Sequence, residues 1–427
     1  MAEISKRLRG RGAIALVLLL CLALRIGLAL YHGEGEVRGD AAVYKLIAEN
    51  IADGKGFISD SGGGITSKPH PSAHGYVLYP YFLAGLMWSI NAGLFEISIV
   101  QSVIDTLTCL LVFLLMLRVT TKQNAALGAA LIYAIYPPFI MSACSMMTET
   151  TTTFVLMSAA YLLYLAFKRG AWFFALAGAV MGITILAKPA MLAFPFVVAL
   201  LLILSKARGW LSKALIYVAA AYLVVSPWTI RNYFVFRAFV PVTTNLGMVL
   251  WQGTGPYDGI CPGGPGYPVD TKSRHIYNNP MIPYVSEQTF QKVQKLQDSI
   301  SNVDEVRRDE ILRQAAIKEI REHPGRWLML AVKKPVRLWL NVWTDHPPSM
   351  GSIGLAVVTL ALIILALLGC RQKRVDWYFK TIAVSMCAYI TVLAIVTYAG
   401  MRYSYPYMPF VIMLAAAGLG KTREIDA

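Results

Sequence analysis

The sequence has few charged residues. Asp, Glu, Lys and Arg make up only 15% of its 427 residues, whereas hydrophobic residues make up 56% and the mean hydropathy is +0.54. A soluble globular protein needs more charge than this to cover its surface with polar groups, so the composition excludes that class. We therefore expect an all-α polytopic membrane protein.

Acidic residues are scarcer than basic ones, at 24 against 39, which leaves a formal net charge of +15. Such a balance is often associated with nucleic-acid binding. Here, however, the basic residues form short clusters between apolar runs, a pattern typical of membrane proteins that keep positive loops in the cytoplasm. We therefore expect membrane lipids as partners, and no nucleic acid.

Cysteines and phosphate-binding glycine loops are also few. Five of the six cysteines lie in apolar segments and only Cys261 lies in a polar stretch, so no disulfide framework or metal-binding spacing is visible. The run Gly62-Gly63-Gly64 does not precede a helix start of the phosphate-binding kind. We interpret it as a linker.

The first long apolar run covers residues 13–30 and follows a basic N-terminus. It is long for a signal peptide, and no small-x-small cleavage site follows it, so we expect a permanent span that starts in the cytoplasm. Arg25, towards the far end of this span, is expected to extend its guanidinium to the membrane interface.

Charge in the loops constrains the topology. If every apolar run crossed the membrane, the basic loops would all lie outside. The run at residues 76–90 is short, contains Pro80 and is rich in aromatic residues, so it suits a re-entrant or interfacial helix. Without that crossing the basic loops become cytoplasmic, and about ten transmembrane helices result.

This topology divides the chain into three parts. Residues 1–230 form an N-terminal transmembrane module, whose first external loop covers residues 32–94. Residues 231–349 form a modest external domain of loops and helices, and residues 350–427 form the C-terminal transmembrane helices. Helices that lie along the external membrane surface are also expected.

Two stretches of the external domain have helical signals. Residues 303–322 are strongly helical, and Asn302 with Glu305 has the spacing of a capping box at their start. Residues 325–343 mix three tryptophans with basic side chains, which predicts a helix along the lipid headgroups.

An acidic motif, Arg38-Gly39-Asp40-Ala-Ala-Val-Tyr44, follows the first span. Apolar residues at helical spacing come next, and Gly54 stands where such a helix would end. The local pattern leaves two interpretations of Asp40 open. It is either the N-cap of this short helix or a functional carboxylate at the membrane surface.

Several other ionisable residues lie near the predicted external ends of spans, where a buried charge is expensive and usually functional. Each has an ordinary structural alternative, either a side chain that reaches the interface or a charge at a helix end. Together they would give two acids and four cations around one external cavity. Besides Asp40, they are Lys68, Glu149, Lys188, Arg231 and Arg402.

That arrangement suits one kind of chemistry. A sugar linked through phosphate to a long isoprenoid would place its phosphate at headgroup depth, where Lys and Arg can stabilise the departing phosphate. A carboxylate on the opposite face of the sugar could take the proton from an attacking acceptor hydroxyl.

These residues stand in short motifs spread over nearly the whole chain. In their order they resemble the GT-C class of integral membrane glycosyltransferases, in the branch of the protein O-mannosyltransferases and the aminoarabinose transferase of lipid A, especially its short bacterial members. The motifs are Gly39-Asp40…Tyr44, Lys68-Pro69, Thr148-Glu149, Leu186-Ala-Lys188-Pro189, Pro227-Trp-Thr-Ile-Arg-Asn232, Thr244-Asn245-Leu-Gly247, His323-Pro324 and Arg402-Tyr403…Pro406.

The resemblance implies a GT-C fold and inverting transfer of a hexosyl or pentosyl group from a polyprenyl-phosphate donor. By motif position Asp40 resembles the catalytic base, and Glu149 resembles a second acid that orients the acceptor or supports Asp40. The expected donor-phosphate contacts are Lys68, Lys188, Arg231, Arg402 and Tyr403, and the expected acceptor or sugar contacts are Tyr44, His74 and Asn245.

One departure from the family pattern follows Lys68. Many relatives continue with Pro-Pro or Pro-Gly-Tyr-Pro, whereas this chain continues Pro-His-Pro-Ser-Ala-His74-Gly-Tyr76. We expect His70 and His74 to be polar loop residues and expect no metal site, but the two histidines leave a divalent metal cofactor open.

The expected function is therefore a glycosyltransferase that acts on a lipid-linked or glycan acceptor, with its active site on the external face of a prokaryotic plasma membrane. A protein acceptor is disfavoured because the chain lacks the added domains of protein-modifying members. A flippase for a polyprenyl-phosphate lipid is the alternative, since it would use the same basic cavity without bond cleavage. A ligase or polymerase of lipid-linked oligosaccharides is a third hypothesis, which sequence separates poorly from the first.

Overall fold

The computed structural model describes residues 2–33, 35, 37–59, 69–120, 122–205, 208–255, 287–301, 303–340 and 349–419. Its regular elements are helices, apart from one antiparallel pairing of two-residue strands, Ile58–Ser59 (β1) with His70–Pro71 (β2). The expected all-α membrane fold is confirmed.

The helices are numbered in chain order. Those before residue 240 are α1 (Ala2–His32), α2 (Asp40–Ala52), α3 (Leu78–Ile90), α4 (Leu94–Thr120), α5 (Gln123–Ile135), α6 (Pro137–Ala143), α7 (Glu149–Arg169), α8 (Ala171–Ala187), α9 (Phe194–Leu204) and α10 (Trp210–Phe236). Those after it are α11 (Leu246–Gly253), α12 (Glu287–Ile300), α13 (Glu305–Glu322), α14 (Pro324–Leu340), α15 (Met350–Arg371), α16 (Trp377–Val396) and α17 (Met408–Gly418).

Six of the described helices are long and apolar enough to cross a membrane, namely α1 from Gly12, α4, α7, α10, α15 and α16. A seventh crossing results if α5 and α6, which meet at an angle of 57°, form one broken span. The predicted ten also included α8, α9 and α17, which are 17, 11 and 11 residues long. These three are shorter than a typical crossing of about 20 residues, so hydropathy gives a higher count than helix length does.

The run that was predicted not to cross forms the 13-residue helix α3. At 1.5 Å per residue such a helix is about 20 Å long, less than the hydrocarbon thickness of about 30 Å. Its length agrees with an interfacial or re-entrant position. It packs against α2, with Tyr79, Leu83 and Ala84 buried between them.

Close helix packing organises the membrane-embedded core. A Cβ added at Gly178 or Gly182 of α8 would lie 2.3 Å from Tyr217 O and 2.4 Å from Ala221 O of α10, respectively. Glycine at both positions therefore lets the two backbones approach directly, as small residues do at helix interfaces in lipid. The approach fixes α8, whose last residue, Ala187, precedes Lys188.

A buried ion pair joins α1 to α4. Arg25 is completely buried and pairs with Asp105, which also accepts a 2.5 Å hydrogen bond from the Tyr133 hydroxyl of α5. Arg25 Nη1 donates to the carbonyls of Cys21 and Ala134 at 3.0 and 2.8 Å. The prediction that Arg25 reaches the interface is wrong, because the Asp105 carboxylate inside the bundle forms an ion pair with its guanidinium.

Helices α11 to α14 form the unit that the sequence predicts to be external, and we call it the external unit. Trp251 of α11 packs on Ile300 of α12 and on Leu312 and Ala316 of α13. Helix α14 attaches this unit to α16, because Lys334 Nζ donates to Ile395 O at 3.0 Å and Trp339 Nε1 donates to Thr391 Oγ1 at 3.0 Å.

The start of α13 differs from the sequence prediction. The helix begins at Glu305, two residues later than predicted, and its N-cap is Asp304, whose carboxylate accepts from Arg307 N at 2.9 Å. Asn302 lies outside the described residues. Glu305 is therefore the first helical residue, and its side chain contacts a distant loop instead of capping this helix.

Replacing Arg25 by Met should lower the free energy of unfolding by about 3–5 kcal/mol, because Asp105 would keep a buried charge without its partner. Thermal unfolding in detergent micelles measures the change. Arg118→Met, at the exposed end of α4, is the control and should change little. The double variant Arg25→Met/Asp105→Leu should recover most of the loss, and a double variant as unstable as Arg25→Met would contradict the ion-pair account.

Candidate active site

Asp40 is the first residue of α2, and Gly39 before it is the N-cap, with a φ of 61° that favours glycine. No side chain caps this helix. The Asp40 carboxylate instead accepts a 2.6 Å hydrogen bond from Arg402 Nη2, and its side chain is 55% exposed. The structure therefore rejects the N-cap interpretation and leaves an accessible carboxylate at the helix mouth.

Arg402 comes from the 3-10 turn Met401–Tyr407, which precedes α17. Its Nε lies 2.9 Å from Oε1 of Glu149, the first residue of α7. Glu149 is only 3% exposed, and its Oε2 has no hydrogen-bond partner among the described residues. One guanidinium thus bridges an exposed carboxylate and a buried one, as a planar fork of donors is suited to do.

Lys188 follows the last residue of α8 and is only 3% exposed. Its Nζ lies 4.5 Å from the ring centroid of Tyr403 and 5.1 Å from that of Tyr76, and it donates to the Tyr76 hydroxyl at 3.4 Å. Cation–π contacts of this kind stabilise an ammonium only in part. Within the described ranges Lys188 forms no salt bridge, so a buried cation stands next to the Arg402 bridge.

Tyrosines form the wall between α2 and α3. The Tyr44 ring lies 6.0 Å from the Tyr76 ring and 5.5 Å from the Tyr79 ring, measured between centroids. Tyr44 is 6% exposed, and Tyr79 donates a 3.0 Å hydrogen bond to Gln101 of α4. This wall places Tyr44 beside the Tyr76 ring that contacts Lys188.

His74 and Asn245 lie on two segments joined by a backbone hydrogen bond of 3.2 Å from Thr244 N to Ala73 O. His74 Nδ1 and Asn245 Oδ1 are both buried without a hydrogen-bond partner in the described structure. Burial, together with nearby Arg308, lowers the pKa of His74 to about 4. Its imidazole is therefore neutral at neutral pH and offers both a donor and an acceptor.

The two remaining predicted phosphate contacts have different outcomes. Lys68 lies outside the described residues. Arg231 donates to Ser72 O at 2.8 Å and to Phe57 O at 3.3 Å, and its guanidinium lies 4.7 Å from the Trp228 ring centroid. These contacts hold the two sides of the loop that contains β1 and β2, and a phosphate contact for Arg231 stays a prediction.

Among the described residues, the carboxylates and histidine that approach one another closely enough for a metal ion are Glu319, Glu322 and His323, in the external unit. Glu319 already pairs with Arg326 at 2.9 Å and with Lys292, and the other two residues are exposed. This group does not include Asp40 or Glu149.

Sequence reasoning did not select Tyr76 or Glu305 as site residues. Tyr76 belongs to the aromatic cluster at the start of the run 76–90, and its hydroxyl faces Lys188. Glu305 binds the loop that precedes Tyr76, although it lies more than 200 residues further along the chain. The aromatic cluster was a usable signal for Tyr76, whereas no local pattern connects Glu305 to a loop so distant in sequence.

His74 should stay unprotonated until the pH approaches about 4, because its folded-state pKa lies well below the ordinary 6.5. The unfolded chain takes up this proton at the ordinary pKa of 6.5, so the stability of the folded chain falls as the pH drops from about 6.5 to about 4. Histidine-selective ¹⁵N NMR in micelles measures this, and His74→Asn assigns the signal by its loss. A midpoint near 6.5 for that signal would show that the imidazole is solvated.

Comparison with known proteins gives one family model and several solved structures of similar fold. The family model described as dolichyl-phosphate-mannose-protein mannosyltransferase matches residues 70–230, a range that contains Glu149 and Lys188 but neither Asp40 nor Arg402. No curated protein matches the chain in sequence.

Three solved structures are similar over nearly the whole chain. The archaeal oligosaccharyltransferase AglB from Archaeoglobus fulgidus, in complex with an inhibitory peptide and a dolichol-phosphate, has a TM-score of 0.58 at 14% identity over 97% of this chain and 50% of its own. ArnT from Cupriavidus metallidurans bound to undecaprenyl phosphate has 0.41 at 13% identity, over 97% and 77%. Apo ArnT has 0.40 at 12% identity, over 98% and 78%.

The chain spans about half the length of AglB, and at this identity the likeness concerns the fold. The family match adds a sequence pattern over the segment that carries Glu149 and Lys188. The chain is thus a membrane protein of the GT-C glycosyltransferase fold class, and it resembles the branch of the dolichyl-phosphate-mannose-protein mannosyltransferases.

Proposed function

We propose that the protein transfers a hexosyl or pentosyl group, with inversion, from a polyprenyl-phosphate donor to a hydroxyl of a lipid-linked or glycan acceptor. One observation carries the proposal. A half-exposed carboxylate, Asp40, and a buried carboxylate, Glu149, share the guanidinium of Arg402 next to the buried ammonium of Lys188. This places a candidate base beside two candidate phosphate contacts.

The two cations would serve the leaving group. When the bond between the anomeric carbon and the phosphate oxygen breaks, negative charge grows on the phosphate, and fixed cations in a buried site stabilise it strongly. Lys188 supplies a charge that no described carboxylate pairs with, and Arg402 supplies a second one. Tyr403, whose ring contacts Lys188, would hold that ammonium in place.

Asp40 would act on the acceptor. As the acceptor hydroxyl oxygen attacks the anomeric carbon, its proton passes to the Asp40 carboxylate, and the electron pair of the breaking bond leaves with the polyprenyl phosphate. Inversion requires base and phosphate on opposite faces of the sugar. Glu149 does not reach the surface, so we assign it to holding Arg402, and through Arg402 the orientation of Asp40.

The sugar or acceptor would lie along the tyrosine wall and the loop. Tyr44 offers an aromatic face, and His74 and Asn245 offer polar atoms without partners in the described structure. A polyprenyl-phosphate donor is consistent with the dolichol-phosphate found in the AglB structure, whose fold this chain shares.

We place this site on the external face of a prokaryotic plasma membrane. The predicted cytoplasmic side carries the basic loops, such as Lys168 and Arg169 at the end of α7. Glu149 begins that same helix. Because α7 is long enough to span the membrane, the active site lies on the side opposite to those basic residues.

Replacing Asp40 by Asn should lower transfer about 10²–10⁴-fold, because the amide cannot accept the proton. The measurement is release of free polyprenyl phosphate from a panel of polyprenyl-phosphate sugars in the presence of a lipid extract. Asp53→Asn is the matched control, since Asp53 ends the same helix in an exposed pair with Lys55 at 2.8 Å. Release of polyprenyl phosphate by Asp40→Asn at the wild-type rate would refute Asp40 as the base. Lipid flipping without release would favour the alternative that the protein is a flippase.

Replacing Lys188 by Met should weaken donor binding roughly 10- to 100-fold, because the buried phosphate contact is lost while the volume is kept. Isothermal titration calorimetry with polyprenyl phosphate, the leaving-group product, measures binding separately from catalysis, because this product carries no sugar to transfer. Lys168→Met is the control, because Lys168 pairs with Asp376 at 2.7 Å at the far end of α7. Equal affinity in both variants would show that Lys188 does not contact phosphate.

A further inference from the structure

Glu305, the first residue of α13, is buried with 4% exposure and inserts its carboxylate into the first external loop. Oε1 accepts from the Ser72 hydroxyl and lies 3.1 Å from His70 Nε2. Oε2 accepts from Ala73 N at 3.0 Å and from Thr244 Oγ1 at 2.9 Å. One carboxylate of the external unit therefore contacts three residues of this loop.

These bonds leave Glu305 no part in capping its own helix, since Asp304 does that. Burial alone would raise the pKa of Glu305, but the hydrogen bonds from His70, Ala73 N and Ser72 outweigh it and hold the pKa at about 2. The group is thus ionised at neutral pH and accepts every bond it is offered.

The loop leads directly from Glu305 to the candidate active site. His74 N donates to Ser72 Oγ at 3.0 Å, and the chain then turns at Gly75, whose φ is 85°. Val77 N donates to Leu186 O at 3.1 Å, two residues before Lys188. Tyr76, which contacts Lys188, therefore lies between a segment fixed by Glu305 and a segment fixed by α8.

We propose that Glu305 is a positioning residue for the transfer reaction, and that it acts by fixing residues 70–74 so that Tyr76 stays packed on Lys188 at the donor phosphate. This inference rests on the proposed function. Lengthening or loosening the loop end would move Tyr76 and the ammonium that it contacts, and small misplacements of this kind are costly to a transition state.

The chain offers a matched comparison on the same helix. Glu319 of α13 is also buried, with 3% exposure, and is also ion-paired, but its partners are Lys292 of α12 and Arg326 of α14. Its carboxylate contacts the external unit and not the loop. Glu319→Gln therefore removes a similar charge from the same helix without touching residues 70–74.

The experiment compares Glu305→Gln, Glu319→Gln and the milder Thr244→Val in detergent, using the full chain. Hydrogen exchange followed by mass spectrometry reports on the amides of residues 69–77 without any need for activity. Titration with polyprenyl phosphate gives the number of folded donor-binding sites, and the transfer rate is then expressed as kcat per donor-binding site.

Glu305→Gln should speed exchange in residues 69–77 about tenfold or more and lower kcat per donor-binding site about 10- to 100-fold. Thr244→Val should also speed exchange and lower kcat per donor-binding site, but by less. Glu319→Gln should change neither the exchange rate nor kcat. Unchanged exchange in Glu305→Gln, or faster exchange with wild-type kcat, would overturn the proposal. A wild type that shows no transfer would refute the proposed function, and the exchange data alone would then confirm or refute the holding of the loop.

Discussion

The bridge from Arg402 to Asp40 and Glu149 is the interaction on which the rest of the site depends. It connects residues 362 positions apart in sequence and joins the mouth of α2, the start of α7 and the turn before α17. Arg402 offsets the cost of burying the Glu149 carboxylate, because it supplies the opposite charge through Nε. The Nη2 group of the same guanidinium donates to Asp40. Three helices that are far apart in sequence are thereby aligned at one point.

Two kinds of support surround this bridge. Inside the membrane, the close contact of α8 with α10 through Gly178 and Gly182 fixes the end of α8 and therefore Lys188. Elsewhere, Glu305 holds the loop that carries Tyr76 to the same lysine. The position of Lys188 thus depends on helix packing through α8 and on hydrogen bonds through this loop.

The ion pair of Arg25 with Asp105 shows the limits of hydropathy as a guide. A single arginine near the end of an apolar run has the pattern of a side chain that reaches the interface, and only the position of α4 reveals its carboxylate partner. The number of transmembrane helices is also difficult to derive from hydropathy, because the length of a helix depends on where the tertiary structure ends it. Apolar runs such as α8 and α9 are readily found in the sequence, but their ends depend on Lys188 and on the turn at Pro189–Met191.

Composition and periodicity alone determined that the chain is an all-α membrane protein, and the ordered motifs were sufficient to select Asp40, Glu149, Lys188 and Arg402 as residues of one site. These features are local, because each depends on residues a few positions apart. The tertiary structure decided that Asp40 does not cap its helix, that Arg402 bridges two acids, and that Glu305 binds the loop of residues 70–74. Charge pairing and hydrogen bonding act over a few ångströms in space, so distance along the sequence carries no record of them.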